Sequence, residues 1–113
     1  MVLTRKLTDI EALLIRYLIA KSGLDFSSID LNELKVHDLA DGGMGSLRLL
    51  AGAANENDRI FGSQIAEVRF NDADGEAVIV SLNVDTEGEL LELDIWKTDF
   101  SPLIRFPDPN YWK

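Results

Sequence analysis

The 113-residue sequence contains no cysteine and only one histidine, His37. The absence of cysteine excludes disulfide bonds, thiolate nucleophiles and cysteine-rich zinc sites, and it is typical of proteins in a reducing cytoplasm. Because most transition-metal sites use a second imidazole or a thiolate, His37 alone predicts no such site. We therefore expect no cofactor and no metal site, with a carboxylate-only site for magnesium or calcium as the remaining alternative.

Long apolar runs are also missing. The basic residues of the N-terminal segment MVLTRKLTDIEALL are followed by Asp9 and Glu11, and no uninterrupted apolar stretch comes after them. We expect neither a signal peptide nor a transmembrane segment, and therefore a cytoplasmic protein without a membrane partner. The length fits a single domain over residues 1–113, and a hydrophobic share of 46% suffices for a core.

Positive charge is scarce. Lys and Arg number 11 against 20 Asp and Glu, which gives a net charge of −9. A field of this sign repels phosphate backbones and anionic lipid surfaces, so we expect no nucleic-acid partner. Two interpretations remain open: an acidic surface that only keeps the protein in solution, or one that attracts a basic partner.

One segment has the pattern of an amphipathic helix. The tetrad Thr8-Asp9-Ile10-Glu11 has the form of a capping box, and Gly23 stands where a left-handed residue commonly ends a helix. Between them, apolar residues recur at intervals of three and four positions. The spacing predicts a helix over residues 9–21. Its predicted apolar face consists of Ile10, Leu13, Leu14, Tyr17 and Leu18.

After Gln64 the apolar period changes to two. The runs IAEVRFN, AVIVSLNV and ELLELDIWK alternate apolar and polar residues and are separated by the glycine-containing turns NDADGE and DTEGE, which predicts an antiparallel meander. The predicted buried face contains Ala66, Val68, Phe70, Val78, Val80, Leu82, Val84, Leu91, Leu93 and Ile95. Since the helix is the only sizeable element that can cover this face, we predict an α+β fold: one main N-terminal amphipathic helix packed on a four- or five-stranded antiparallel sheet.

The remaining segments are less periodic. Residues 34–37 and 46–50 are predicted strands on either side of the turn DGGMGS, and residues 51–62 are a predicted loop. The C-terminal segment SPLIRFPDPNYWK holds all three prolines and suits neither a sheet interior nor a helix. Because Leu103, Ile104 and Phe106 are apolar, we expect this tail to run back over the domain or onto a second subunit.

Two stretches resemble known ligand sites, and each has a simpler explanation. NDADGEAVIVS places Phe70 and Ser81 where an EF-hand loop needs calcium ligands, so we predict a hairpin turn at Asp74-Gly75. DGGMGSLR lacks the lysine of a P-loop and the third glycine of a dinucleotide site, which favours a tight turn. A loop whose amides approach a ligand remains the alternative there. Nothing in the spacing pairs His37 with a nucleophile, so no catalytic residue is predicted.

The last predicted strand carries the strongest candidate site. Its acidic residues and its tryptophan alternate, so they project from one face at intervals of about 7 Å. The candidate binding residues are Glu92, Asp94 and Trp96, with Asn83 and Arg69 as orienting groups on the neighbouring strands. A polar face with an aromatic residue suits a small polar ligand or the basic patch of a partner. The structural alternative is a solvated sheet face on which Arg69 and Lys97 neutralise the acids.

The stretches RKLTDIEALLIRYL, DGGMGSLR and ELDIWKTDFSPLIRFP, in this order, resemble a family of small uncharacterised bacterial proteins, a domain of unknown function. The most distinctive of them is E-L-D-I-W-K-x-D-F-S-P-L over residues 92–103. The family has no assigned activity, so the resemblance implies a bacterial, cytoplasmic, single-domain protein and no catalytic residues. In size and charge the chain is also similar to small immunity proteins of bacterial toxin systems.

Two functional hypotheses follow. The first is a non-enzymatic acidic interaction module that binds a protein partner, with a second copy of itself or a basic toxin as specific versions. The net charge, the last strand and an aromatic tail ending in Tyr111-Trp112 support it. The second is a small-molecule-binding protein or weak enzyme that uses the polar sheet face around Asp94 and Trp96. The two differ in shape, because a ligand site needs a pocket whereas an interface can be flat.

Overall fold

The computed structural model describes residues 3–52, 55–106 and 108–112, and of Tyr111 it describes only the backbone. These ranges contain one α-helix, six strands and two short 3₁₀ turns. In chain order the elements are β1 (Arg5–Lys6), α1 (Asp9–Ser22), β2 (Lys35–Asp38), β3 (Leu47–Leu49), a 3₁₀ turn (Glu56–Asp58), β4 (Phe61–Asn71), β5 (Ala77–Asp85), β6 (Leu90–Lys97) and a second 3₁₀ turn (Pro109–Tyr111).

The six strands form one antiparallel sheet in the order β1-β2-β3-β6-β5-β4. The mixed class, with one helix and an antiparallel sheet, is confirmed, but the predicted number of four or five strands was too low. Strand β1 precedes the helix and has only two residues, which is too short to show an alternating pattern. Strand β4 begins at Phe61, inside the segment predicted as a loop.

The ends of α1 follow the predicted capping chemistry. The Oγ1 atom of Thr8 accepts the amide of Glu11 at 3.3 Å, and the Glu11 carboxylate accepts the amide of Thr8 at 2.9 Å. Gly23 ends the helix in the left-handed conformation, with φ 72°. The helix thus begins as predicted and ends one residue later than predicted. None of the helical segments in the described ranges has the length and apolarity that a membrane crossing requires.

The buried face of α1 is rotated relative to the prediction. Leu13 is 43% exposed, so its assignment to the apolar face was wrong, whereas Ile15 is fully buried. The helix packs on β4 and β5, and Leu14, Ile15 and Leu18 join its hydrophobic core. The apolar residues of α1 occupy most of its circumference, and the position of the sheet decides which arc is buried.

The core lies between α1 and one face of the sheet, and the predicted alternation after Gln64 is largely confirmed. Val80 pairs with Ile95 and Leu82 pairs with Leu93, and all four side chains are buried in one cluster. The other strand residues of this cluster are Val36, Leu47, Leu49, Val68, Phe70, Val78, Val84 and Leu90. We call this side of the sheet the core face.

A β-bulge changes the pattern at the start of β6. The register shifts between Asn83 and Val84, so that Glu92 pairs with Asn83 while Leu90 pairs with Val84. Leu90 therefore belongs to the core, and Leu91 is buried outside the core cluster. The predicted faces of these two leucines were wrong, because the extra residue of a bulge interrupts strict alternation.

A buried ion pair lies at one end of the sheet. The Arg59 side chain, 1% exposed, lies 2.9 Å from the Asp85 carboxylate. The same guanidinium donates to the carbonyls of Leu49 and Leu90, both at 2.6 Å. The segment predicted as a featureless loop thus holds together the ends of β3, β5 and β6. Ala53 and Ala54 of that segment lie outside the described residues.

The C-terminal tail runs back over the domain, which was one of the two predicted alternatives. Asp72 accepts the amides of Ile104 at 2.8 Å and Arg105 at 3.2 Å. The Lys97 ammonium lies 2.9 Å from the Asp72 carboxylate and also bonds Asp74 at 2.6 Å. Lys97 is 1% exposed and shares the core face with Val78, so the prediction that it neutralises acids on the opposite face was wrong.

Candidate functional site

The sheet face opposite the core carries polar side chains, and we call it the polar face. The register places its residues side by side across five strands: His37, Arg48, Gln64, Glu67, Arg69, Ile79, Ser81, Asn83, Glu92, Asp94 and Trp96. Strand alternation produces most of this face, because its residues alternate along the strands with residues of the core face, except at the bulges next to Gln64 and Glu92.

All five predicted binding residues lie on the polar face, but they do not converge on one point. Glu92 lies directly opposite Asn83, and the next row of the face begins with Asp94 on the same strand as Glu92. Trp96 and Arg69 belong to a third row, where Ile79 separates them. The Arg69 guanidinium lies 3.3 Å from the carboxylate of its neighbour Glu67. The two acids and Asn83 therefore form one group, and Arg69 lies apart from it.

The polar face is less solvated than predicted. Ser81 is 7% exposed and Asn83 is 8% exposed, whereas Trp96 is 40% exposed. The two small side chains belong to β5, which is flanked by longer side chains of β4 and β6 on the same face. The short polar groups of β5 are therefore buried between longer neighbours on the polar face.

Glu92 is the electrostatically perturbed carboxyl of the polar face. Its pKa is raised because the side chain is half-buried and because the charge of Asp94 lies nearby, and Arg48 only partly offsets these effects. Arg48 lies directly opposite Glu92 in the register, yet its guanidinium pairs with Glu56 at 3.2 Å. Perturbed carboxyl pKa values occur more often at functional sites than elsewhere, although structural charge networks produce them as well.

We expect Glu92→Gln to raise the free energy of unfolding at neutral pH, by less than about 1 kcal/mol. The substitution removes a charge that burial and Asp94 disfavour. The gain should disappear as the pH falls below the usual glutamate pKa, because Glu92 is then protonated in both the folded and the unfolded chain. Urea unfolding near pH 7 and near pH 4 measures this difference, with Glu87→Gln in an exposed turn as the control. A loss of stability at pH 7 would show that the carboxylate is instead a structural group.

Asp94 connects the polar face to the turn DGGMGS, residues 41–46, which we call the glycine loop. The Ser46 hydroxyl lies 3.4 Å from the Asp94 carboxylate and accepts the amide of Ile95 at 2.8 Å. Gly45 has φ 103°, and a Cβ there would lie 3.4 Å from the side chain of Ile95. Two of the three stretches that carry the family resemblance are therefore in direct contact.

Backbone amides of the glycine loop donate hydrogen bonds within the loop. The Asp41 carboxylate accepts the amides of Met44 at 3.1 Å and Ser46 at 2.8 Å. The carbonyl of Gly43 accepts the amide of Leu103 in the tail at 3.1 Å. These bonds favour the tight-turn interpretation over a ligand-binding loop. Among the described residues, no group of three or more His, Asp or Glu side chains is placed to hold a metal ion.

Two aromatic side chains border the polar face at the end of β6. The rings of Trp96 and Phe100 have centroids 6.1 Å apart, and Phe100 is 68% exposed. Phe100 has φ 62°, a left-handed conformation that is rare for a bulky residue and that keeps its ring beside Trp96. Sequence reasoning missed Phe100, because nothing in TDFSP signals a left-handed phenylalanine.

The terminal tryptophan does not belong to an exposed aromatic tail. Trp112 is 6% exposed and packs edge-on against Tyr17, with ring centroids 5.5 Å apart. Its predicted part in partner binding was therefore wrong, since its ring is already covered by the domain. The side chain of Tyr111 lies outside what the structure describes.

Comparison with known proteins gives one match. Residues 4–107 match the family described as Domain of unknown function (DUF6984), a span that includes both the glycine loop and residues 92–103. No curated protein and no solved structure matches the chain significantly. The expected membership of a family without an assigned activity is confirmed at that level. The chain belongs to the DUF6984 family.

Proposed function

We propose that this protein is a non-enzymatic interaction module of the bacterial cytoplasm, whose polar face binds a basic segment of a partner protein. The acid pair Glu92 and Asp94 carries the proposal. Neither carboxylate forms an ion pair with another residue of the described ranges. A cation from a partner would supply the missing charge, and its binding would be strengthened by the partial burial of Glu92.

The aromatic border supports the same function. Trp96 and Phe100 expose apolar ring surface beside the acids. Aromatic residues are enriched at the centres of protein interfaces, where they bury large areas at a small entropic cost. A ring face also attracts cationic side chains. The combination suits a segment that carries both basic and apolar residues.

The overall charge adds long-range attraction. A net charge of −9 would accelerate encounter with a basic partner at low ionic strength. A basic toxin is one specific version of such a partner. A second copy of this chain is a less suitable one, because its net charge has the same sign.

Tryptophan fluorescence can test the proposal with defined probes. The probes are a ten-residue peptide that alternates Ser with Lys and Arg, and a peptide of the same length that alternates Ser with Glu. We expect only the basic peptide to bind, to change the emission of the half-exposed Trp96, and to lose affinity as salt is added. The double variant Glu92→Gln, Asp94→Asn should bind about tenfold more weakly or worse.

A charge-matched control distinguishes binding at the polar face from attraction by the net charge of the whole protein. The double variant Glu87→Gln, Asp58→Asn removes two exposed acids away from the polar face. It should keep the affinity of the original protein to within about twofold. An equal loss in both double variants would mean that the peptide follows net charge alone, and the polar face would then not be the binding site.

A small-molecule site is the second candidate, and one observation favours it. The Oδ1 atom of Asn83 is buried and has no hydrogen-bond partner in the described ranges. Such an atom suits a ligand that supplies a donor, which a weak enzyme or a metabolite-binding protein would exploit. Binding of a neutral small molecule that Asp94→Asn abolishes without changing the melting temperature would favour this candidate over the interaction module.

A further inference from the structure

The amide oxygen of Asn83 is, among the described residues, an unpartnered acceptor on the polar face. Asn83 is 8% exposed, and its Oδ1 atom has no hydrogen-bond partner within the described part of the chain. A buried acceptor without a partner destabilises the folded state by about 1–3 kcal/mol. Asn83 lies directly opposite Glu92 on the polar face. A donor from outside the domain would approach this oxygen from the polar face, where the acid pair also lies.

The group that completes this site needs several donors and a positive charge. The Glu92 and Asp94 carboxylates and the Asn83 oxygen are all acceptors. A guanidinium offers five N–H donors in one plane, which can reach a carboxylate and a neighbouring amide oxygen together, whereas an ammonium is a compact charge with three donors. The spread of the acceptors over two adjacent strands favours the wider group.

The protein's own arginines leave this site free. Arg48 is the nearest guanidinium in the register, but Glu56 of the 3₁₀ turn holds it at 3.2 Å. Arg69 pairs with Glu67 in another row of the face. The Glu92 carboxylate thus remains available to an arginine from outside, whereas the Oδ1 atom of Asn83 is covered and can be reached only when the side chains around it move apart.

We propose that the partner segment contributes an arginine side chain, whose guanidinium binds between Glu92 and Asn83 with Asp94 as a second carboxylate. This inference rests on the proposed function and names the residue type that the acidic site selects. Trp96 lies two residues beyond Asp94, at a distance of about 7 Å along the strand. Trp96 therefore contacts a neighbouring residue of the bound segment, and the guanidinium itself stays beside the acids.

Three blocked pentapeptides test the inference by calorimetric titration. They share the sequence Gly-Ser-Xaa-Ser-Gly, in which Xaa is arginine, lysine or citrulline, the uncharged analogue of arginine with nearly the same shape. We expect the arginine peptide to bind about tenfold more tightly than the lysine peptide, and the citrulline peptide to show no binding. Equal affinities for arginine and lysine would overturn the inference.

Asn83→Leu separates a binding role from a structural one. Leucine removes the unpartnered acceptor at similar volume, so the melting temperature should stay the same or rise. Affinity for the arginine peptide should nevertheless fall about tenfold, while affinity for the lysine peptide changes little. The control Glu87→Gln should keep the preference for arginine. An unchanged preference in Asn83→Leu would rule out this amide as a ligand of the guanidinium.

Other occupants of the site give different results. Free L-arginine that binds as tightly as the blocked peptide would indicate a small-molecule site and contradict a peptide partner. Calcium chloride that displaces the arginine peptide at micromolar concentration would indicate a carboxylate metal site instead. If the pentapeptides fail while the ten-residue basic peptide still binds through Glu92 and Asp94, the arginine inference is wrong and the proposed function stands. If neither binds, both are wrong.

Discussion

Replacement of Arg59 by methionine is expected to lower the free energy of unfolding by about 3–5 kcal/mol. The substitution leaves the Asp85 carboxylate buried without its cation, and it removes both donors from the carbonyls of Leu49 and Leu90. Loss of one member of a buried ion pair is costly, because the remaining charge has neither bulk water nor a counter-charge. Methionine keeps the volume and the unbranched shape of the side chain, so packing changes little.

Urea unfolding measured by circular dichroism provides the test. The control Arg16→Met removes the same charge from an exposed position of α1 and should change stability by less than about 0.5 kcal/mol. Asp85 also accepts the amides of Glu87 and Glu89, at 2.9 and 3.0 Å, so its turn should weaken when Arg59 is lost. A cost below about 1 kcal/mol in Arg59→Met would mean that Asp85 finds water or another partner.

Replacement of Asp72 by asparagine is expected to lower the free energy of unfolding by about 3 kcal/mol and to loosen the tail. The carboxylate joins the buried ammonium of Lys97 to the amides of Ile104 and Arg105. Asparagine keeps one acceptor oxygen but removes one of the two carboxylate charges that pair with Lys97, and only that of Asp74 is left. Limited proteolysis should then cut the variant within residues 103–110 faster than it cuts the original protein. The control Asp58→Asn, at an exposed position, should leave both stability and cleavage unchanged.

The effect of Asp72 should also depend on pH in a defined direction. Burial alone would raise the pKa of this carboxyl, but the amide of Ile104 and the ammonium of Lys97 hold it at about 2, below the usual 3.8. The unfolded chain therefore binds this proton more tightly, and the stabilisation is complete above the unfolded pKa. It is lost as the pH falls from about 5 toward 2. The stability difference between the original protein and Asp72→Asn should shrink over that range, and a constant difference would contradict the assignment.

The Arg59–Asp85 and Lys97–Asp72 ion pairs are formed by buried acids. From the net charge alone, both acids would be expected on the surface. Asp72 and Asp85 are buried, and each organises a turn through backbone amides as well as binding a cation. The acidic surplus of the sequence is therefore not all solvated surface. What remains on the polar face is the pair Glu92 and Asp94, whose charges no residue of the described ranges neutralises by an ion pair.

The local structure of this protein was predictable because neighbouring residues determine it. The capping box at Thr8, the left-handed Gly23 and the Asp74-Gly75 turn depend on hydrogen bonds and dihedral angles within a few residues. The alternation of β5 and β6 likewise follows from the geometry of a strand, and it placed Glu92, Asp94 and Trp96 on one face. The candidate site was predictable to that extent.

Tertiary structure decided the rest, because strand pairing and burial depend on residues that are far apart in the sequence. Arg48 lies opposite Glu92 only because β3 pairs with β6. Leu90 lies in the core only because the register shifts after Asn83. The burial of Lys97 depends on Asp72, although two turns and the whole of β5 lie between Asp72 and the strand β6 that Lys97 ends. The amino-acid sequence alone determined a helix and the alternating strands of an acidic domain, through local geometry. The three-dimensional fold selected which charges are paired in the interior and which acids of the polar face have no ion-pair partner in the described ranges, because that choice rests on long-range contacts.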